Sequence, residues 1–301
     1  MITNSTQLYQ NIENISKNLI ISSASINQWE REALRKHTIL SYTTIMALTI
    51  TVSLLNVAHS QSLMLTLLTD KETYTLGEYV TINGTLTLNG NPVSDAIVAI
   101  QVQTPKGLLT IRTQTTGTIT SDEWPVEIVT LYSSDDSGTP KSTFKREQIA
   151  YVTIKVRNND IVSHYVMIIF NLYDSDSISH YVIYTSTTID AGRWLNVTYP
   201  IPVPKEATLG TATVYANVME DWPNKRGIVY CPEESAQFTI TGSSGGGSAS
   251  PSNQEIEAAS QDGTYSITFR LPQKGVILGT YSVYATTYYT GIKPLATASF
   301  Q

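Results

Sequence analysis

Tyr79–Leu88 reads YVTINGTLTL, and its alternation of apolar and polar side chains decides the fold class. A period of two belongs to a strand with one face in a core and the other toward water. The stretch ends on Asn89-Gly90-Asn91-Pro92, which are turn residues. Ala96–Val102 (AIVAIQV) follows as a nearly continuous apolar run, a strand buried on one or both faces. Pro105-Lys106-Gly107 turns the chain into another strand over Leu108–Thr113.

Outward from this segment the same grammar repeats. After Gly117 the pattern restarts, and Val126–Tyr132, Ala150–Val156, Tyr165–Tyr173, Tyr181–Ser186, Leu195–Tyr199, Thr211–Val218 and Ala236–Ile240 read as seven more strands. Turn clusters separate them, among them Asp135-Asp136-Ser137-Gly138, Asn158-Asn159-Asp160 and Asp221-Trp222-Pro223-Asn224. Thr264–Leu271, Thr280–Tyr289 and Leu295–Phe300 form a last trio. Many short strands punctuated by turn residues predict an all-β protein built of sandwiches.

Chain length divides these strands into bodies. The segment 63–118 alone is marginal for an independent sandwich, and so is 254–301. Together they approach the roughly 100 residues and seven strands of an immunoglobulin-type sandwich. The middle piece, 119–241, is self-sufficient. The reading is therefore two immunoglobulin-like β-sandwiches, the second inserted into the first, with 242–253 as a Gly/Ser-rich linker (GSSGGGSASPS over Gly242–Ser252).

Composition bears on the setting. Charged residues make up 15% of the 301, against about 25% in an ordinary soluble domain. Few charges beside many hydroxyls suit a secreted or cell-surface protein. The net charge of -6, with no basic stripe in the body, argues against a nucleic-acid partner. One cysteine, Cys231, excludes a disulfide framework within the chain and reads as a small buried apolar residue.

The N-terminal region is different. Residues 1–37 are polar and close on Arg31, Arg35, Lys36 and His37; Thr38–Ala58 then carries no charge and ends at Ala58-His59-Ser60. Basic residues, an apolar run and a small-x-small exit make a secretory signal pattern over 38–60, preceding the sandwiches as an apolar helix. Cleavage near Gln61 is one reading; an uncleaved membrane anchor over 38–58 is the second, and a buried helix of a soluble domain the third. Pilin-type processing ahead of the apolar run lacks its expected site.

Tyr74-Thr-Leu-Gly77-Glu78-Tyr-Val80-Thr-Ile82-Asn-Gly84, with Pro92-Val93-Ser-Asp-Ala96-Ile-Val98 and Thr104-Pro105-x-Gly107, resembles the first half of immunoglobulin-like and macroglobulin-type domains of prokaryotic surface proteins, archaeal ones above all. The usual second half resembles Gly263-Thr-Tyr265-Ser-Ile267-Thr-Phe269 and Gly279-Thr-Tyr281-Ser-Val283-Tyr-Ala285. Those halves are contiguous in the families; here the middle piece parts them. Ala150-Tyr-Val-Thr-Ile-Lys-Val156-Arg-Asn158, Pro202-Val-Pro204 and Gly210-Thr-Ala-Thr-Val214-Tyr215-Ala resemble a CARDB or fibronectin-like adhesion module. The resemblance implies an exported, adhesive or structural protein and covers nothing before residue 61.

An enzyme needs convergent acid–base or nucleophilic groups, and the sequence offers few. Past the leader only His164 and His180 remain, read as a cross-strand surface pair; a metal pair would need Asp174 or Asp176 beside them. Asp174-Ser-Asp176 departs from a calcium loop, with no Gly at its sixth position and Thr185 at its twelfth, so no catalytic, cofactor or metal residue is assigned. Ca²⁺ held by loop carboxylates stays open. Asn83-Gly-Thr85 and Asn196-Val-Thr198 are glycosylation sequons, placed on exposed strand ends. Tyr281, Tyr284, Tyr288 and Tyr289 have mixed parity and cannot share one face; they read as sandwich filling.

The expected protein is thus a non-catalytic extracellular structural or adhesive component. Its partners would be other surface proteins or copies of itself, and it would meet a membrane only through 38–58, if that segment is uncleaved. An exported carbohydrate- or ligand-binding module and a membrane-anchored accessory ectodomain are the alternatives. Ser62–Thr69 (SLMLTLLT) is either the first strand of its own sheet or a strand donated to a neighbour.

Overall fold

The computed structural model describes residues 61–119, 123–242, 262–273 and 278–301, together with helical residues between 10 and 36. The apolar run 38–60 and the stretch 243–261, which holds nearly all of the expected linker, lie outside the described residues. Met1–Ser60 and Gln61–Gln301 are two compact units. In the first, the described residues between 10 and 18 and between 28 and 36 are helical, and Lys17 pairs with Glu13 one turn away at 2.8 Å. No helix among the described residues is long and apolar enough to cross a membrane.

The second unit is all-β. Its strands in chain order are β1 (Leu63–Leu65), β2 (Leu68–Thr69), β3 (Tyr79–Leu88), β4 (Asn91–Pro92), β5 (Ile97–Thr104) and β6 (Gly107–Thr115). Then come β7 (Val126–Ser134), β8 (Thr143–Lys145), β9 (Ile149–Asn158), β10 (His164–Tyr173), β11 (Ser179–Ile189), β12 (Trp194–Pro202), β13 (Gly210–Met219) and β14 (Glu234–Thr241). The last three are β15 (Thr264–Arg270), β16 (Tyr281–Thr287) and β17 (Leu295–Phe300).

β3 organises the first sheet. It pairs with β15 on one side, with β1 and β2 on the other, and with the short return strand β4. Asn89 (φ 53°) and Gly90 (φ 83°) make the left-handed pair that a tight hairpin needs, so Asn91–Pro92 re-enters the sheet instead of remaining turn. The second sheet runs β17-β16-β5-β6. The even-numbered side chains Val80, Ile82 and Leu86 face Val98, Ile100 and Val102 in one core, with Tyr265, Ile267, Phe269, Val283 and Phe300 from the later part of the chain. Tyr281 stacks on Phe300 in that core with centroids 4.9 Å apart, whereas Tyr288 is half exposed. Both sheets of this sandwich therefore combine strands from before residue 119 with strands from after residue 261. Gly117 lies where the chain departs and Asp262 where it returns; a Cβ on Gly117 would fall 2.9 Å from Asp262 Oδ1.

Ser62–Thr69 completes its own sheet. It does so in two short pieces, because the chain breaks at Thr66, whose carbonyl accepts the Tyr265 hydroxyl. The Tyr265 ring crosses above Gly84, its partner on β3.

The strands from β7 to β14 pair only with one another, apart from an isolated bridge between Ile178 and Arg270. One sheet runs β11-β10-β13-β14-β8 and the other β12-β9-β7. Ala150, Val152, Ile154 and Val156 of β9 face Ile168, Phe170 and Leu172 of β10 and Val214, Ala216 and Val218 of β13. β8 adds an eighth strand to the seven read from sequence. It is three residues long, runs parallel to β14 and contributes Phe144 to the core, edge to face with Phe238 at 5.2 Å.

Candidate functional site: a polar seam and the cleft beside it

β6 is an edge strand, so every second residue points its backbone N–H and C=O away from β5. An open edge of this kind invites pairing with another chain. Here it is closed by side chains of the second sandwich. Ile111 N–H donates to Asn171 Oδ1 at 2.8 Å, Thr113 N–H donates to Glu233 Oε2 at 3.2 Å, and Ser179 Oγ donates to the Leu109 carbonyl at 2.8 Å. The edge of one sandwich thus rests on the outer face of the β10–β11–β13 sheet of the other.

Side chains seal the contact on both flanks of β6. On one flank Ile97, Ala99 and Ile111 pack with Met167, Ile169, Met219 and Val229. On the other Arg112 lies over the Tyr215 ring, with the guanidinium carbon 3.4 Å from its centroid, and its Nε donates to Glu233 Oε1 at 2.7 Å. Asn217 Nδ2 donates to the second Glu233 oxygen at 2.8 Å, and Thr110 shares a 2.6 Å hydrogen bond with the Tyr173 hydroxyl. Arg112 and Glu233 side chains are 4% and 8% exposed. Burial pushes the Glu233 carboxyl upward, while the Arg112 charge, the Asn217 amide and the Thr113 N–H pull it back. Such groups are costly to bury singly, and together they fix one geometry.

The loop after β13 straps the seam. Pro223–Lys225 is a single 3-10 turn, Glu220 N–H donates to the Ile228 carbonyl at 2.8 Å, and Asn224 N–H reaches across to Gln101 Oε1 at 3.1 Å. Gly227 lies so close to Asp221 that a Cβ would stand 1.8 Å from its carbonyl oxygen. Lys293, in the β16–β17 connection, pairs with Glu220 at 2.9 Å. Between this strap and the uncovered end of the β10–β11 face is a cleft of about 680 Å³, lined by Tyr165, Met167, Tyr184, Ser186, Trp222 and charged residues of the strap.

The candidates read from sequence lie elsewhere. His164 and His180 are not a cross-strand pair: His164 opposes Ile189 at one end of the β10–β11 hairpin and His180 sits at the other. The hairpin turn at 174–178 puts the two at opposite ends. Each has its own carboxylate, Asp160 and Asp174, with Nε2 2.9 Å away in both cases. Asp176 pairs with Arg270 at 3.3 Å. Asp135 is occupied by its own turn, accepting from Ser137 and Thr139 N–H at 3.0 Å each. Among the described residues no three His, Cys, Asp or Glu side chains converge as a metal ion would require. Asn83 and Asn196 are exposed but sit within β3 and β12 and not at strand ends; Asn83 Oδ1 accepts from Ser266 Oγ at 2.7 Å.

Asp174 stabilises the β10–β11 turn. Its carboxylate accepts from Asp176 N–H, Ile178 N–H and Thr208 N–H, the last at 2.8 Å, besides His180. Burial raises its pKa, but the His180 contact and the backbone donors outweigh burial and hold it below the ordinary 3.8. A lowered carboxylate contributes stability that is complete above its unfolded value and is lost as pH falls through the folded one. Asp174→Asn is therefore expected to cost about 1–3 kcal/mol at pH 7. Urea midpoints of parent and variant should converge as the pH is taken below 3.8; a gap that persists undiminished would refute the assignment.

Cys231 is 2% exposed in the second core, and burial pushes its thiol up to about 12. Thiol titration of the native protein is expected to find no reactive group, with full reaction only in denaturant. A disulfide-linked dimer on a non-reducing gel would contradict this.

The residues of the seam escaped sequence reading, although they carry a signal. Gln101, Asn171 and Asn217 each interrupt a run apolar on both faces, in AIVAIQV, VMIIFNLY and TVYANVM. A polar residue in a doubly buried strand needs a specific partner.

No protein-family model matches the sequence, and no curated protein does. Among solved structures, a tetra-tandem repeat from the extending region of a large adhesion protein is 15% identical over 80% of this chain and 74% of that one, with a TM-score of 0.23. A Salmonella alpha-2-macroglobulin variant is 10% identical over 78% of this chain and 23% of its own length, at 0.24. Pseudomonas fluorescens alkylpurine DNA glycosylase AlkC, in complex with DNA containing an abasic site analog, is 10% identical over 40% of this chain, which spans 31% of that enzyme, at 0.30. At such scores the likeness goes no further than a strand-rich architecture.

Proposed function

We propose that this chain is a non-catalytic extracellular structural or adhesive protein of the cell surface, exported through its N-terminal segment. In this reading 63–118 and 254–301 form one discontinuous immunoglobulin-like domain, and 119–241 is a CARDB-like module inserted into it. The observation that carries the reading is the seam. An edge strand whose outward N–H groups are satisfied by buried Asn171 and Glu233 makes the two sandwiches one stiff body. A spacer or adhesive unit needs a fixed relation between its modules more than it needs a reactive group. The low content of charge, at 15%, and the secretory pattern ahead of residue 61 agree with an exterior location.

Mass spectrometry of protein shaved or washed from intact cells tests this. The expected result is a chain beginning near Gln61, or an intact chain retained on the membrane through 38–58, with Asn83 or Asn196 open to sugar mass. Recovery only from the cytosol, with intact cells protecting it from added protease, would sink the proposal. Electron microscopy of the same material distinguishes a filament subunit from a monomeric module.

A further inference from the structure

We infer that the cleft between the strap and the β10–β11 face is a binding site for a carboxylated sugar, a uronic acid residue of a glycan. This goes beyond the structural role proposed above and does not depend on it. A sugar ring offers an apolar face of C–H groups and a dense rim of hydroxyls. Its sites pair aromatic rings with many donors and acceptors in a shallow, prebuilt depression.

The cleft supplies both. Tyr165 and Tyr184 are 50% and 52% exposed, and Trp222 meets Tyr184 edge to face with centroids 4.9 Å apart. Around them stand the hydroxyls of Ser186 and the two tyrosines, the carboxylates of Glu220 and Asp221, and the cations Lys225, Arg226 and Lys293. Tyr165 lies on β10 beyond Met167, where the apolar flank of the seam ends, and Tyr184 lies on β11, the edge strand of the sheet, so both rings reach past the contact with the first sandwich.

Charge narrows the ligand. The chain carries a net -6, yet the cleft has three cations against two carboxylates. Lys293 is engaged by Glu220 at 2.9 Å and Lys225 by Asp221 at 3.4 Å. Among the described residues that line the cleft, Arg226 is the cation left over from these pairs, and it is exposed. A planar guanidinium suits a planar carboxylate.

Preorganisation is the third argument. Trp222 N–H bonds to Asp221 Oδ1 at 2.8 Å, and the Trp222 carbonyl accepts from Lys225 and Gly227. Arg226 is held in a left-handed conformation, φ 62°, by the same turn. The strap is thus set before any ligand arrives, which lowers the entropy lost on binding.

Calorimetric titration of the full-length protein with tetragalacturonate, and with neutral cellotetraose beside it, tests the inference. Tetragalacturonate is expected to bind with a Kd of about 1 mM or tighter, and cellotetraose at least about tenfold more weakly. Tyr184→Ala should weaken tetragalacturonate binding by about tenfold or more. Its thermal midpoint should hold, because the Tyr199 hydroxyl bonds the backbone carbonyl of residue 184 and not its ring. Arg226→Gln should abolish the preference for the acidic over the neutral sugar. Absence of binding, equal affinity for the two tetrasaccharides, or unchanged affinity in a folded Tyr184→Ala protein would each overturn it.

Discussion

Replacing Glu233 by alanine is expected to destabilise the protein by about 3–5 kcal/mol, because it leaves one partner of a buried ion pair without the other. Arg112, 4% exposed, would keep its charge among Tyr173 and Tyr215 with its Nε partner removed. Thr113 N–H and the Asn217 amide would lose their acceptor in the same step. The control is the double variant Arg112→Leu/Glu233→Leu. Removing both charges spares the desolvation penalty, so the double variant should recover most of the stability lost by the single one. The two should still differ from the parent at the edge of β6, where Thr113 N–H no longer has its carboxylate. Urea unfolding of the three proteins gives the energies, and hydrogen exchange at Ile111 and Thr113 reports on the seam itself. A Glu233→Ala protein within 1 kcal/mol of the parent, against the magnitude usual for such pairs, would show that the seam is not buried as described.

Gly84→Ala is expected to have the second large effect. A glycine within a strand usually weakens it, and alanine there is ordinarily an improvement of about 0.5–1 kcal/mol. At this position the sign reverses. The added Cβ would stand 2.2 Å from the Thr66 carbonyl oxygen and 2.2 Å from the Tyr265 hydroxyl. Neither can give way: one is backbone in the break between β1 and β2, and Tyr265 is 1% exposed. A loss of about 3 kcal/mol is expected from overpacking of this kind. Tyr265→Leu in the Gly84→Ala background removes the colliding phenol and should recover part of the loss, which a double-mutant cycle measures. Additive losses would mean that the ring does not cross the glycine.

Much of this architecture was legible because hydrophobic periodicity is local. YVTINGTLTL coincides with β3 residue for residue, and LATASF with β17. AIVAIQV, read as buried on one or both faces, enters β5 at Ile97, and its six residues in that strand are all buried. Thr143–Lys145 gave no signal, since a three-residue strand with one apolar side chain has no period to read. Asn91–Pro92 looked like the end of a turn because its pairing rests on the left-handed φ values of Asn89 and Gly90. The seam and the cleft were hidden for a different reason. Arg112 and Glu233 come together only once two sheets from distant parts of the chain have been laid against each other, and Tyr165, Tyr184 and Trp222 only once β10 and β11 have paired and the strap after β13 has folded over them. Nothing in the spacing of those residues encodes these contacts.

The meeting of Gly117 with Asp262 has a mechanical consequence. Gln301 is tied to the backbone of Glu72 and Tyr74, by bonds of 2.9 and 2.7 Å, and Leu63–Leu65 is zipped to β3. Tension applied between Ser62 and Gln301 therefore runs through the first sandwich alone. Everything from β7 to β14 is entered and left at the Gly117–Asp262 junction and lies beside that path, braced against β6 along the seam, so the backbone of the second sandwich carries no tension while the first one holds.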